Sequence, residues 1–221
     1  MGRDMASILG RLRRALRGTR PPAGKAGAPG AIDAPHLLPD VQCEWISRPA
    51  PWREAMETRD LPAPPSPTHL AGGVTLHHDA TQPDLSLRQA PANDGAAPFE
   101  ICLDVRAFDG SFVSLVHDLP DEAVADLTLD HYVALHIRMA RDRPIEVYAR
   151  LNIRHGPNTE QLVRHVDFEG EAGVAEFDLG HAQINERRIE KAWLDIIIER
   201  PATTRITFRD VIVLRALRAD V

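Results

Sequence analysis

The chain has 221 residues, 43% of them apolar and 26% charged, with a formal net charge of −6. That length buries one full hydrophobic core, and no run approaches the roughly 20 consecutive apolar residues of a spanning helix. Residues 1–25 carry seven basic side chains and one acid, a net of +6, which leaves nineteen basic and 31 acidic residues beyond them, a net of −12; a basic tail on an acidic body favours contact with an anionic surface and excludes nucleic acid binding along the body.

At the N-terminus, Met5, Ile8, Leu9, Leu12, Ala15 and Leu16 recur at helical spacing with Arg11, Arg13, Arg14 and Arg17 beside them. The pattern predicts a basic amphipathic helix over residues 1–18. In this reading Ile8, Leu9, Leu12 and Leu16 enter an anionic membrane surface while the arginines engage headgroups, each contributing about 1 kcal/mol. A helix docked on the body or on a partner, or an unstructured start, fits the same residues. The arginines interrupt any secretory apolar stretch, and Ala6 stands where a myristoylation signal has Ser or Thr. Two cysteines, Cys43 and Cys102, make no disulfide framework. The expectation is a cytoplasmic protein with reduced thiols, peripheral to the inner membrane.

Eleven of the eighteen prolines lie between Pro21 and Pro67. This predicts a Pro-rich connector over residues 19–72, without regular sheet and with at most one short helix. Residues 41–58 are its exception: Trp45, Ile46, Trp52 and Met56 are too apolar for a free linker and pack across the folded body, with an exposed peptide-recognition role as the alternative.

From residue 73 to 219 the pattern is one of short alternating runs separated by turn residues, the signature of an all-β domain. Val74 to His77 and Leu85 to Arg88 open it, and Phe99, Ile101, Leu103 and Val105 alternate with polar neighbours. Phe112 to Val116 is apolar on both parities and therefore buried on both faces. The runs Val133 to Met139 and Ile145 to Ile153, joined across Arg141-Asp142-Arg143-Pro144, read as a hairpin. Gln161 to Phe168, Val174 to Leu179, Trp193 to Glu199 and Arg205 to Arg215 complete about nine strands, with short helices at Asp121 to Leu127 and Gln183 to Ala192. The fold class that follows is an antiparallel β-sandwich of jelly-roll type.

The candidate ligand surface is the row Glu146, Tyr148, Arg150, Asn152 and Arg154, same-face positions of one long strand, beside His136 and Arg138 of its hairpin partner. Planar guanidinium and amide groups with one aromatic platform suit the hydroxyls and apolar faces of sugars. The loop after it adds His155 and Asn158 around the turn-forming Gly156-Pro157. The plainer reading of the same row is a solvated sheet face with cross-strand Glu and Arg pairs, or a face covered by the Pro-rich half. His77-His78-Asp79 lacks metal-ligand spacing because adjacent strand residues point to opposite faces. No metal or cofactor is expected, with a structural calcium on a loop left open. No nucleophile elbow, P-loop, dinucleotide fingerprint or zinc-protease helix is present. Asp210 shares parity with Ile206, Phe208, Ile212 and Leu214, so either a bulge re-aims it or it is an inward carboxylate with a partner.

The runs FDGSFVSLVHDLP (Phe108 to Pro120), RLNIRHGPNTE (Arg150 to Glu160), FDL (Phe177 to Leu179), AWLDIIIERP (Ala192 to Pro201) and RDVIVLRALRA (Arg209 to Ala219) resemble an uncharacterised bacterial family of unknown function over residues 41–219. The closing strand pair, with Asp195 in one and Arg209-Asp210-Val211 in the next, is similar to the end of galactose-binding-like sandwiches and carbohydrate-binding modules, which implies a glycan ligand. The expected function is a non-catalytic β-sandwich that binds a saccharide or glycan precursor and is brought to the membrane by its tail. The alternatives are an adaptor for a membrane-associated protein partner and a sugar hydrolase.

Overall fold

The computed structural model describes residues 43–93 and 97–218. The basic helix expected over residues 1–18, with Ile8, Leu9, Arg11, Leu12, Arg13, Arg14, Leu16 and Arg17, lies outside the described residues. In chain order the elements are β1 (Cys43–Ser47), α1 (Ala50–Arg53), β2 (Asp60–Pro62), β3 (Thr68–Ala71), β4 (Val74–His78), β5 (Asp84–Pro91), β6 (Phe99–Ala107) and β7 (Phe112–Asp118). They continue with α2 (Asp121–Val124), β8 (His131–Arg141), β9 (Glu146–His155), β10 (Asn158–His165), β11 (Asp167–Glu169), β12 (Ala172–Asp178), β13 (Ile189–Glu199) and β14 (Thr204–Leu217). Two antiparallel sheets result. The first runs β11-β12-β8-β14-β6-β5-β2 with β1 also on β14, and the second runs β10-β9-β13-β7-β4-β3.

The fold is the expected all-β sandwich, and period-2 alternation builds it. Val147, Ala149, Leu151 and Ile153 of β9 and Leu194, Ile196 and Ile198 of β13 face inward and join Leu103, Leu135, Ile137 and Phe208 of the first sheet in one core. The first five residues of β7 and all of β4 are buried, as central strands covered on both faces must be. Short helix α1 closes one end of this core: Trp52 is buried, stands edge-on to Phe208 and donates its indole N–H to the Phe208 carbonyl at 2.9 Å. Gly72, at φ +51, lies where a Cβ would meet the Ala50 side chain at 2.4 Å, so only glycine lets α1 seat there. Among the described residues no helix is long and apolar enough to cross a membrane.

Several expectations are corrected. β8 and β9 are not a hairpin: β8 pairs with β12 and β14, whereas β9 pairs with β10 and β13 in the other sheet. The connection between them is an arch fixed by Asp142, whose carboxylate accepts from Thr204 Oγ1 at 2.6 Å and from the Arg205 amide at 3.1 Å, tying the turn to the start of β14. The true hairpin partner of β9 is β10, joined through Gly156 at φ +59 and Pro157. A helix over 183–192 does not form; 3₁₀ turns at Leu179–His181 and Glu186–Arg188 are followed by β13, because Ile189 and Lys191 already pair with His155 and Arg154 across a bulge. The helix at 121 stops at Val124. The Pro-rich half does contribute to the sheets, through the short β1, β2 and β3, with β2 and β3 at sheet ends where proline is tolerated.

Asp210 satisfies both readings of its parity. The β14–β8 register shifts between Phe208 and Asp210, and the re-aimed carboxylate takes a bidentate ion pair from Arg48, Nε to Oδ1 at 2.7 Å and Nη2 to Oδ2 at 2.9 Å.

Candidate ligand-binding face

Glu146, Tyr148, Arg150, Asn152 and Arg154 occupy the face of β9 opposite the core, as their parity requires. Register places three rows across the second sheet on that face. The first is Gln161, Asn152, Trp193 and Asp118; the second Val163, Arg150, Asp195, Val116 and Thr75; the third His165, Tyr148, Ile197, Ser114 and His77. Strand rise puts successive rows about 7 Å apart, so Trp193 and Tyr148 lie on either side of the Arg150 and Asp195 row.

The expected open, solvated row is corrected at its centre. Arg150, Asn152 and Asp195 are each 0% exposed, and Ser114 and His77 are buried with them. Tyr148, Gln161, Val163, Trp193 and Asp118 are half-buried around them. Arg150 Nε donates to Asp195 Oδ2 at 2.6 Å, and Nη2 approaches the same oxygen to 2.6 Å without hydrogen-bond alignment. Asn152 Nδ2 also donates to Asp195 Oδ2 at 3.0 Å, while its Oδ1 accepts from Gln161 Nε2 at 2.6 Å. The Arg150 and Asn152 contacts to Asp195 therefore converge on one carboxylate oxygen. Asp195 Oδ1, Arg150 Nη1 and Nη2, Ser114 Oγ and His77 Nδ1 are buried without an aligned hydrogen-bond partner among the described residues.

Burial pushes the Asp195 carboxyl above its usual range, against the opposing pull of Arg150 and Asn152. Burial, with His69 and His78 nearby, lowers His77 to about 4, so its ring is neutral at pH 7. Burial also raises the Tyr148 phenol and the Asp118 carboxyl. Tyr148 stands edge-on to His165 at 5.2 Å, and His165 bridges Glu146 and Asp167, each at 2.9 Å.

Other predicted site residues lie elsewhere. His136 and Arg138 are on β8, in the first sheet, and so cannot flank Tyr148; His136 is buried there and Arg138 lies 3.8 Å from Glu171. Arg154 is exposed and pairs with Glu190 at 3.0 Å. His155 has the opposite parity to the row, is buried, and its Nδ1 accepts from the Asn185 amide at 3.2 Å. Asn158 pairs with His155 across the β9–β10 turn. Among the described residues no group of three or more His, Cys, Asp or Glu could hold a metal ion. The loop carboxylates of Asp79 and Asp109 instead accept from backbone amides of Ser111 and Phe112, and of Thr81 and Gln82.

The sequence reading missed Trp193, Ser114 and Asp195 as parts of this face. A signal existed for Asp195: it is the one charge inside the apolar run WLDIII, and a carboxylate in a strand apolar on both parities must have a partner.

A family model described as a family of unknown function, DUF6478, matches residues 12–221. The chain belongs to that family. A human ciliated left-right organizer ZP-N domains-containing protein is 39% identical over 80 residues, 36% of this chain, and the chain spans only 9% of that protein's length. Among solved structures, the chain is similar to a family 11 carbohydrate-binding module from Clostridium thermocellum, with 11% identity, 67% of this chain and 92% of that one covered, and a TM-score of 0.43. It is also similar to a xylan-binding domain of carbohydrate-binding module family 22, with 8% identity, 75% and 97% covered, and a TM-score of 0.39. A cyclase from Fischerella sp. TAU is similar at 9% identity, 74% and 89% covered, with a TM-score of 0.45. This family member thus carries its polar constellation on a sheet face of an antiparallel sandwich.

Proposed function

We propose that this protein is a non-catalytic binding module that takes a saccharide on the outer face of its second sheet. One observation carries the reading: the half-buried rings of Tyr148 and Trp193 stand one row to either side of the buried Arg150 and Asp195 pair, on the same sheet face. Such rings offer apolar surface to the faces of a sugar. The half-buried side chains of Gln161 and Asp118 share the Trp193 row, and a sugar hydroxyl, which both accepts and donates, suits an amide and a carboxylate alike.

A cover of residues 41–65 over Tyr148, which would favour the adaptor reading, is not seen among the described residues 43–65. β1 and β2 pair with β14 and β5 of the first sheet, and Trp52 contacts Phe208 there, away from the β9 row.

The test is a glycan-array screen of the full chain, followed by calorimetry on the hits. Tyr148→Ala and Trp193→Ala are each expected to weaken binding at least about tenfold with an unchanged melting temperature. Silence across the array, or binding that both variants retain, would overturn the reading. The second part of the proposal is recruitment by the basic tail to an anionic inner-membrane surface. Full-length protein should float with phosphatidylserine vesicles, and replacing Arg11, Arg13, Arg14 and Arg17 with Glu should abolish flotation; equal flotation of both proteins would remove the tail from the proposal.

A further inference from the structure

The outer face of the first sheet is apolar at positions where an antiparallel sheet that meets water turns polar. On β8 and β14, Leu135, Ile137, Val211 and Val213 enter the core, so Ala134, His136, Ile212 and Leu214 point the other way. Ala134, Leu214 and Ala216 are each 0% exposed and form a cluster of their own with Cys43, Ile46 and Tyr132, all on β1, β8 and β14 of that one sheet. An outward leucine with only same-sheet neighbours needs a second layer above it to leave water. His136 stands in the next row, beside Ile212 and Val174, at 9% exposure. Its Nε2 is buried without a hydrogen-bond partner among the described residues, which a native site seldom tolerates. Burial lowers its pKa despite the pull of Glu176, so the ring is neutral at pH 7 and Nε2 can donate or accept.

We infer that residues 31–42, which lie outside the described residues, dock across this outer face, with their apolar side chains over Leu214 and Ile212 and a backbone group on His136 Nε2. Continuity selects this occupant. The described chain starts at Cys43, itself a member of the cluster, so the segment just before it leaves from the rim of the patch. Cys43 faces Ala216, which faces Tyr132, and His136 lies four residues further along β8. Two strand spacings across and four residues along make about 16 Å, which about five extended residues span. Leu38 stands five residues before Cys43, and Val41 falls between them to meet the Leu214 row. The segment reads AIDAPHLLPDVQ. Its Pro35 and Pro39 bar a helix and favour an extended backbone without internal hydrogen bonds, whose carbonyls are open to a donor such as His136 Nε2. The family model begins at residue 12 and so takes the segment in. The inference is separate from the saccharide reading, because the two faces lie on opposite sides of the sandwich.

The experiment is paramagnetic NMR on the full chain carrying Cys43→Ser and Cys102→Ser, with a nitroxide attached through His36→Cys. Amide signals of Ala134, His136, Ile212 and Val174 are expected to be lost, while those of Thr75 and Gln161 on the second sheet are kept. Adding Leu37→Glu and Leu38→Glu should restore the lost signals. Equal attenuation of both sheets, or attenuation confined to the second, would overturn the inference. A mixture of isotope-labelled chain without nitroxide and unlabelled chain with it tests the other occupant: loss of the same signals there would give the face to a second copy and overturn the inference as well. A soluble gadolinium chelate added to the unaltered protein keeps the test independent of whether the variants fold. The Leu214 methyl signals should stay as narrow as those of Leu151 in the core, and their broadening would show the face to be open to water and the inference wrong.

Discussion

Two arginine–aspartate pairs in this molecule, one partly and one fully buried, use the same side chains in different geometries. Arg48 and Asp210 form a closed fork, two parallel hydrogen bonds to two carboxylate oxygens, with side-chain exposures of 13% and 7%. It fastens the segment after β1 to the bulge of β14, and Asp210 has neither oxygen to spare. Arg150 and Asp195 lie deeper, at 0% each, yet crowd Nε and Nη2 onto a single oxygen and leave Oδ1 and Nη1 without a hydrogen-bond partner among the described residues. In a buried site each unmade bond is expensive, so the two pairs differ in what they contribute to stability. The first pair is a fastening; the second lies beneath the proposed saccharide face.

The sharpest way to break this contrast is to remove one partner and then both. Arg150→Ala strands the Asp195 carboxylate inside the sheet face and should cost about 3–5 kcal/mol by urea denaturation, the largest effect expected here. Replacing the pair together, Arg150→Met with Asp195→Leu, removes the stranded charge and should bring stability back to within about 1 kcal/mol of the parent, with saccharide binding gone. A double variant as unstable as the single one would mean that this pair too is a fastening.

Arg48→Ala is the matched experiment on the closed fork. Losing two charge-assisted bonds to a carboxylate of which little is exposed should cost about 1.5–3 kcal/mol, less than Arg150→Ala because Arg48 and Asp210 retain some contact with water. Saccharide affinity should not change. A loss of affinity in this variant would show that the two pairs communicate through β14, and their separate roles would have to be redrawn.

How far sequence alone reaches differs between these regions. Alternation gave the strands and the all-β class, and the two-parity apolar run at Phe112 to Val116 was correctly read as buried on both faces. Asp210 stood out because it broke its own strand's parity, which is a local property. Pairing is not local. The runs around Ile137 and Val147 look the same whether their strands share a hairpin or separate into different sheets, and what separates them is long-range: β8 pairs with β12 and β14, β9 with β10 and β13, and Asp142 ties the connection to Thr204, 62 residues on. For the same reason His136 and Arg138 were grouped with Tyr148 although they lie in the other sheet. Alternation marks Arg150 and Asn152 as facing away from the core, which is true, but carries no information on depth. Their burial comes from the strand neighbours, and above all from Asp195, whose isolation in an apolar run was the overlooked clue.

The smallest expected effect extends the contrast to two histidines. His77 lies in the rows of the proposed saccharide face, whereas His117 points into the core beside a small apolar cavity of about 10 Å³ lined by Trp52, Leu115, Leu194 and Val213 among others. Burial lowers both to about 4, joined by His69 and His78 for His77 and by Arg53 for His117. Each is neutral in the folded protein while the unfolded chain protonates near 6.5, so the unfolded state binds more protons in that window and stability falls as pH falls. Between pH 7 and 5.5 the loss should be about 1 kcal/mol per histidine, read from urea midpoints. Asp195 acts in the opposite sense, because a carboxyl raised by burial takes its proton first in the folded state; the slope should flatten as pH approaches the carboxylate range. His117→Leu and His77→Asn should each remove about half of the loss above that range. They should then part company: His117→Leu keeps saccharide affinity, since its ring serves only the core, and His77→Asn weakens it several-fold, since His77 lies in the same cross-strand row as Tyr148. Equal binding by the two variants would put His77 back among the packing residues and shrink the recognition face to the Arg150 and Asp195 row.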